Sequence, residues 1–295
     1  MQPNLEGIVS QGFRISWKYK ILWVPNILFW VVILIVVIPF LPFILSPFAG
    51  IDGGPTVDVN WQLYIGFWIL FIAVSALLES IANSCTIVGI LHAEAGNKVS
   101  LGELADEGYK YIGRVIGIIL LFRFSTLGVI VTFFYLFSSL PNLMSLLCFP
   151  ALFLVLIAYL FLNILIEQVK VSIVIADINV TGAIRYAFRI FSKNFGLLFM
   201  IFLIIGLVGF AISNILGVVV ALTNSITPLF LLLSHRFERS GLDYRIVTIV
   251  SGIISLPLST IIEGAFMAFE KSLLTTAYLQ LMHSSAEKAN LQLVA

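Results

Sequence analysis

Six apolar stretches, each long enough to cross a bilayer as a helix, dominate this chain and leave only short polar segments between them. A hydrocarbon core needs about 20 helical residues to span it. The candidate spans are 21–46, 61–91, 112–140, 143–176, 197–223 and 246–281. Lipid offers no hydrogen-bond partner to a backbone N–H or C=O, so unbroken runs of this kind are predicted to be helices. Several exceed the minimum, which implies tilt or extension beyond the lipid. Composition agrees, because a chain with 60% apolar and 11% charged residues is far from a soluble domain. Sixteen basic residues nearly balance fifteen acidic ones, so no global charge favours a nucleic acid or an acidic substrate.

The spans fall into three copies of one unit. Three windows open the copies: Gly12-Phe13-Arg14-Ile15-Ser16-Trp17-Lys18, Gly108-Tyr109-Lys110-Tyr111-Ile112-Gly113-Arg114 and Ala187-Phe188-Arg189-Ile190-Phe191-Ser192-Lys193. Each reads small, aromatic, basic, apolar, two variable residues, basic. The expected fold is an all-α integral membrane six-helix bundle, a single domain over 1–295. It is built from three repeats of an interfacial amphipathic helix plus two transmembrane helices. The repeats run over 5–92, 100–176 and 181–282, with a short tail at 283–295. Their second halves echo one another: Glu79 precedes Ser84 by the interval at which Glu167 precedes Ser172, and Ser272 heads a similar run. Glu263 and Glu270 fall out of that register.

Lys and Arg positions set the expected orientation. Arg14, Lys18 and Lys20 precede the first span, Lys98, Lys110 and Arg114 the third, and Arg185, Arg189 and Lys193 the fifth. The loops around Asp52, Asp58 and Pro141 hold none. Both termini are therefore expected in the cytoplasm of a cell with an inner membrane, the first span staying as a signal anchor. Arg236, Arg239 and Arg245 oppose the rule, and 227–244 is read as an interfacial excursion.

The amphipathic helices carry their own chemistry. Ser100-Leu101-Gly102-Glu103 fits a capping box, in which each side chain satisfies a free backbone N–H. In the third copy Ile184, Phe188 and Phe191 are expected to share an apolar face, with Arg185, Arg189 and Lys193 on another. Helices of this kind lie along headgroups, and Arg14, Lys18, Lys110, Arg114, Arg189 and Lys193 are the expected headgroup contacts.

Glu79, Arg123, Glu167, Lys170 and Glu263 stand inside apolar spans, where an unpaired ion is expensive. Glu79 and Arg123 lie about 15–20 Å from the cytoplasmic ends of consecutive spans, so they are expected to pair. Glu167 and Lys170, three apart on one helix, can pair as well, and Glu263 has no evident partner. Two readings stay open: charges that lock helix register, or a polar cavity handling an ion, proton or lipid headgroup. Pro257 marks either a kink or a discontinuous, site-lining helix. Gly206, Gly209, Ser213 and Gly217 suit close helix packing.

Catalytic and cofactor signals are lacking. His92, His235 and His283 are isolated, and Cys85 and Cys148 sit in different spans as small core residues. No HExxH, P-loop or G-x-S-x-G pattern occurs. No cofactor and no enzymatic activity are expected.

Ala176-Asp177, Thr181-Gly182-Ala183-Ile184, Tyr186-Ala187-Phe188-Arg189 and Lys193-Asn194 together resemble a signature of six-span bacterial and archaeal proteins. These are the membrane domain found beside glycerophosphoryl diester phosphodiesterases and the related YciC-like group. The resemblance implies a membrane domain without the soluble catalytic barrel, for which the polar segments leave no room. It therefore points to a lipid-associated protein, or a scaffold for a separate membrane or lipid-metabolising chain. The alternative is a small ion or solute transporter, or a channel, using the intramembrane Glu/Arg cluster.

Overall fold

The computed structural model describes residues 4–37, 61–98, 100–139, 148–233 and 243–294, and among them every regular element is helical. In chain order these are α1 (Leu5–Lys18), a 3-10 turn (Lys20–Leu22), α2 (Trp23–Val37), α3 (Trp61–Glu94), α4 (Leu101–Ser139), α5 (Cys148–Ile175), α6 (Val180–Lys193), α7 (Phe195–Leu233) and α8 (Asp243–Val294). Five segments are long and apolar enough to cross a membrane: Lys20–Val37, Ile65–Glu94, Leu101–Thr132, Phe153–Ile175 and Phe195–Val219. The chain is thus a multi-pass membrane protein by length and composition of its helices. The span expected at 246–281 lies in α8 and is not among these five, which are drawn from the described residues alone.

Local signals explain most helix ends. Asn4 caps α1 by accepting from the Glu6 N–H at 3.1 Å, and Asn179 caps α6 by accepting from Gly182 at 2.9 Å. The capping box at α4 closes on both sides: Ser100 N–H donates to Glu103 Oε2 at 2.7 Å, and Glu103 N–H to Ser100 Oγ at 3.3 Å. Replacing Ser100 with alanine is expected to cost about 1 kcal/mol in thermal unfolding. Asn194 ends α6, its side-chain amide donating to the Ile190 carbonyl at 3.0 Å.

Three expectations need correction. The amphipathic helix and the span of the second copy are not separate: α4 runs unbroken through both, because nothing between 101 and 139 offers a stop. The excursion expected at 227–244 does not begin at Thr227, since α7 continues to Leu233; residues 234–242 lie outside the described residues, as do the loops holding Asp52, Asp58 and Pro141. The glycines of α7 divide. A Cβ on Gly209 would meet Phe266 of α8 at 2.9 Å, whereas Gly206 and Gly217 face open space. Pro257 lies inside α8, which passes through it as one helix.

α3, α5 and α8 touch one another and form the centre. α2 packs on α3 and α8, α4 on α3 and α5, and α7 mainly on α8. The amphipathic segments follow a cyclic rule: α1 packs on α8, the first turns of α4 on α3, and α6 on α5. The contacts are backbone-close. A Cβ on Gly12 would stand 3.1 Å from the Leu273 backbone, and one on Gly108 3.0 Å from the Cys85 backbone N. Ala187, the matching residue in α6, is fully buried. Ser84, Ser172 and Ser272 are fully buried too, and the last two donate to the carbonyl four residues back, at 2.7 and 2.8 Å.

Candidate functional site

Apolar helices bring five charged side chains into one connected network. Glu79 of α3 accepts from Arg123 of α4 at 2.5 Å and from Lys170 of α5 at 2.8 Å. Lys170 also donates to Glu167, one turn earlier on α5, at 2.8 Å. Glu167 in turn pairs with Lys271 of α8. Four helices are tied by one alternating chain: Arg123, Glu79, Lys170, Glu167, Lys271. Arg123 reaches further into α3, donating to the Ile72 carbonyl at 3.3 Å and to Ser75 Oγ at 2.5 Å.

Both pairs expected from the sequence are present, Glu79 with Arg123 and Glu167 with Lys170. Lys271 was not foreseen; its position directly before Ser272, the residue that echoes Ser84 and Ser172 in sequence, was the available signal. Glu263 stands apart, and among the described residues neither it nor Glu270, next to Lys271 in sequence, makes an ion pair within 4 Å.

α3 continues past the level at which Gly108 packs on Cys85. From Cys85 to Glu79, and from Leu273 (where Gly12 packs) to Lys271, the distance along the helix is about 3–9 Å. Glu79 and Lys271 thus lie about half a turn to two turns along their helices from the positions where the amphipathic segments pack.

Beside it is a cavity of about 210 Å³ between α3, α4 and α5. Glu79, Arg123, Glu167 and Lys170 form its charged wall, and Asn163 adds an amide. Phe122 and Tyr159, stacked with ring centroids 5.6 Å apart, close another side. Among the described residues no three His, Cys, Asp or Glu side chains gather as a metal ion would need.

The expected headgroup residues separate into two sets. In all three windows the small residue is buried and the aromatic after it is exposed: Phe13 by 56%, Tyr109 by 75%, Phe188 by 59%. The basic residue that follows, Arg14, Lys110 or Arg189, is exposed as well, and so are Lys18 and Lys193. Phe188 is thus not on the buried face of α6, which consists of Ala183, Ala187 and Ile190. Arg114 is the exception among the cations: it pairs with Asp177 at 2.7 Å and donates to the Ile178 carbonyl at 3.0 Å, clamping α4 to the α5–α6 connection.

Compared with protein-family models, curated proteins and solved structures, the chain matches none.

Proposed function

We propose that this chain is a non-catalytic, six-span protein of the plasma (inner) membrane with cytoplasmic termini, built from three repeats about a pseudo-threefold axis. Its role is to hold membrane lipids, and through them or beside them a second membrane or lipid-metabolising chain. The observation that carries the reading is the common environment of the three windows. The small residue lets each amphipathic segment lie backbone-close on a central helix, which turns the aromatic and basic residues outward. Outward aromatic rings beside cations suit the boundary between acyl chains and phosphates. The cyclic packing of α1 on α8, α4 on α3 and α6 on α5 supports the three-repeat description, as does the shared burial of Ser84, Ser172 and Ser272. The likeness to the membrane domain found beside glycerophosphoryl diester phosphodiesterases points the same way.

The test uses the full chain in nanodiscs of phosphatidylcholine, with and without phosphatidylglycerol. Each exposed cation near an anionic surface contributes about 1 kcal/mol. Anionic lipid should therefore raise the melting temperature of the wild-type protein. It should do so far less for a variant with Arg14, Lys18, Lys110, Arg189 and Lys193 all changed to glutamine. An equal rise in both would remove the headgroup role. The transporter alternative draws its support from the cavity beside the charge network.

A further inference from the structure

We infer that the cavity between α3, α4 and α5 is a binding site for a phosphate-class oxyanion. The argument is one of unused donors. Each of the four carboxylate oxygens of Glu79 and Glu167 already accepts from a cation: Lys170 and Arg123 on Glu79, Lys170 and Lys271 on Glu167. The donors are not used up. Lys170 places one N–H on each of two carboxylates and keeps one, and among the described residues the Nε–H of Arg123 and a second hydrogen on its Nη2 take no partner. Both cations line the cavity. Glu270 is buried close enough to Lys271 and Lys170 to act on them electrostatically without touching either, so the case rests on the spare donors and not on net charge. A low-dielectric site with spare charged donors and filled acceptors favours an acceptor-only ligand, and an oxyanion is that ligand.

Size and surroundings narrow the class. A volume of about 210 Å³ holds a compact oxyanion with a small organic substituent. The Asn163 amide donates only to the Tyr159 carbonyl, leaving its oxygen and second hydrogen for a hydroxyl on that substituent. The stacked Phe122 and Tyr159 rings offer an apolar wall for its carbon atoms. Two sources supply such an oxyanion, the free anion in solution and the phosphate of a lipid headgroup. The lipid source rests on the headgroup-level placement proposed above, since Glu79 on the cavity wall lies only about 9 Å along α3 from the contact with Gly108.

The experiment measures thermal unfolding of the full chain under titration with inorganic phosphate at constant ionic strength, and separately in nanodiscs with phosphatidylglycerol. The variants are Arg123→Gln, which removes the spare donors of Arg123, and Asn163→Phe, which fills the cavity and touches none of the residues in the ion pairs. Stabilisation by phosphate that weakens roughly tenfold in apparent affinity in Asn163→Phe establishes a site for a free anion. Stabilisation by phosphatidylglycerol alone, lost in Asn163→Phe but kept in the five-glutamine variant, establishes a headgroup site. If neither probe distinguishes Asn163→Phe from wild type, the inference is overturned, even if Arg123→Gln fails to fold. Lipid stabilisation lost only in the five-glutamine variant also overturns it, while leaving the interfacial reading intact.

Discussion

Glu167→Gln is expected to destabilise the protein by about 3–5 kcal/mol, the loss that follows when one partner of a buried ion pair is removed and the other stays charged. The side chain keeps its size, so packing is nearly unchanged and the effect is electrostatic. Glu167 is the one anion that Lys271 touches, and it shares Lys170 with Glu79. Without it, Lys271 is a buried ammonium on α8 with no counter-ion in contact. The second variant, Lys271→Met, removes a cation whose partner keeps Lys170, so its cost should be smaller. Combining the two should recover at least half of the Glu167→Gln loss, because the stranded charge is gone. A double-mutant cycle by thermal unfolding in detergent measures this coupling. If Glu167→Gln stays within about 1 kcal/mol of wild type, the network does not hold α5 to α8.

How far the sequence discloses this arrangement depends on the residue. The Glu79–Arg123 and Glu167–Lys170 pairs were legible because an ion in an apolar run demands a partner, and adjacent spans or a one-turn spacing supply it. Their union into one chain was not legible: Lys170 crossing to Glu79 and Lys271 reaching Glu167 depend on α3, α5 and α8 meeting in three dimensions. The repeated windows disclosed which residues are small, aromatic and basic, but not which face each takes. Phe188 shares an apolar face with Ile184 by spacing, yet it is exposed, since Ala183 and Ala187 are what allow α6 to lie close to α5. Arg114 matches Lys18 and Lys193 in position, yet Asp177 reaches it across the bundle, a contact with no local signature. The unbroken α4 was hidden for a simpler reason. Amphipathic and fully apolar segments share one helical period, and only a breaker would have divided them, as Tyr19 and the 3-10 turn do after α1.

Gly108→Leu is expected to cost about 3 kcal/mol and to loosen the first turns of α4 before the rest of the bundle. A Cβ at this position would stand 2.9 Å from Cys85 Sγ and 3.0 Å from the Cys85 backbone N, inside van der Waals contact with main chain that cannot rotate away. The helices must therefore separate, and overpacking of this kind typically costs 1–3 kcal/mol or more. The pairing of α3 with α4 is the most extensive in the bundle, so no other contact of α4 replaces what is lost. Gly113 on the same helix is the control. Nothing lies within 4 Å of its would-be Cβ, and Gly113→Ala should stabilise by about 1 kcal/mol through helix propensity alone. Opposite signs from two glycines five residues apart would locate the effect in the α3 contact and exclude a general intolerance of side chains in this segment. Hydrogen exchange adds the spatial test, since amides of residues 101–114 should lose protection in Gly108→Leu while those of α8 keep theirs. The three-repeat proposal extends the expectation to Gly12→Leu, where the Cβ would press on the Leu273 backbone and α1 would lift from α8 in the same way. Loss of α1 protection without loss at α4 would show that each amphipathic segment docks independently on its own central helix. That independence is what three equivalent lipid-contacting helices require.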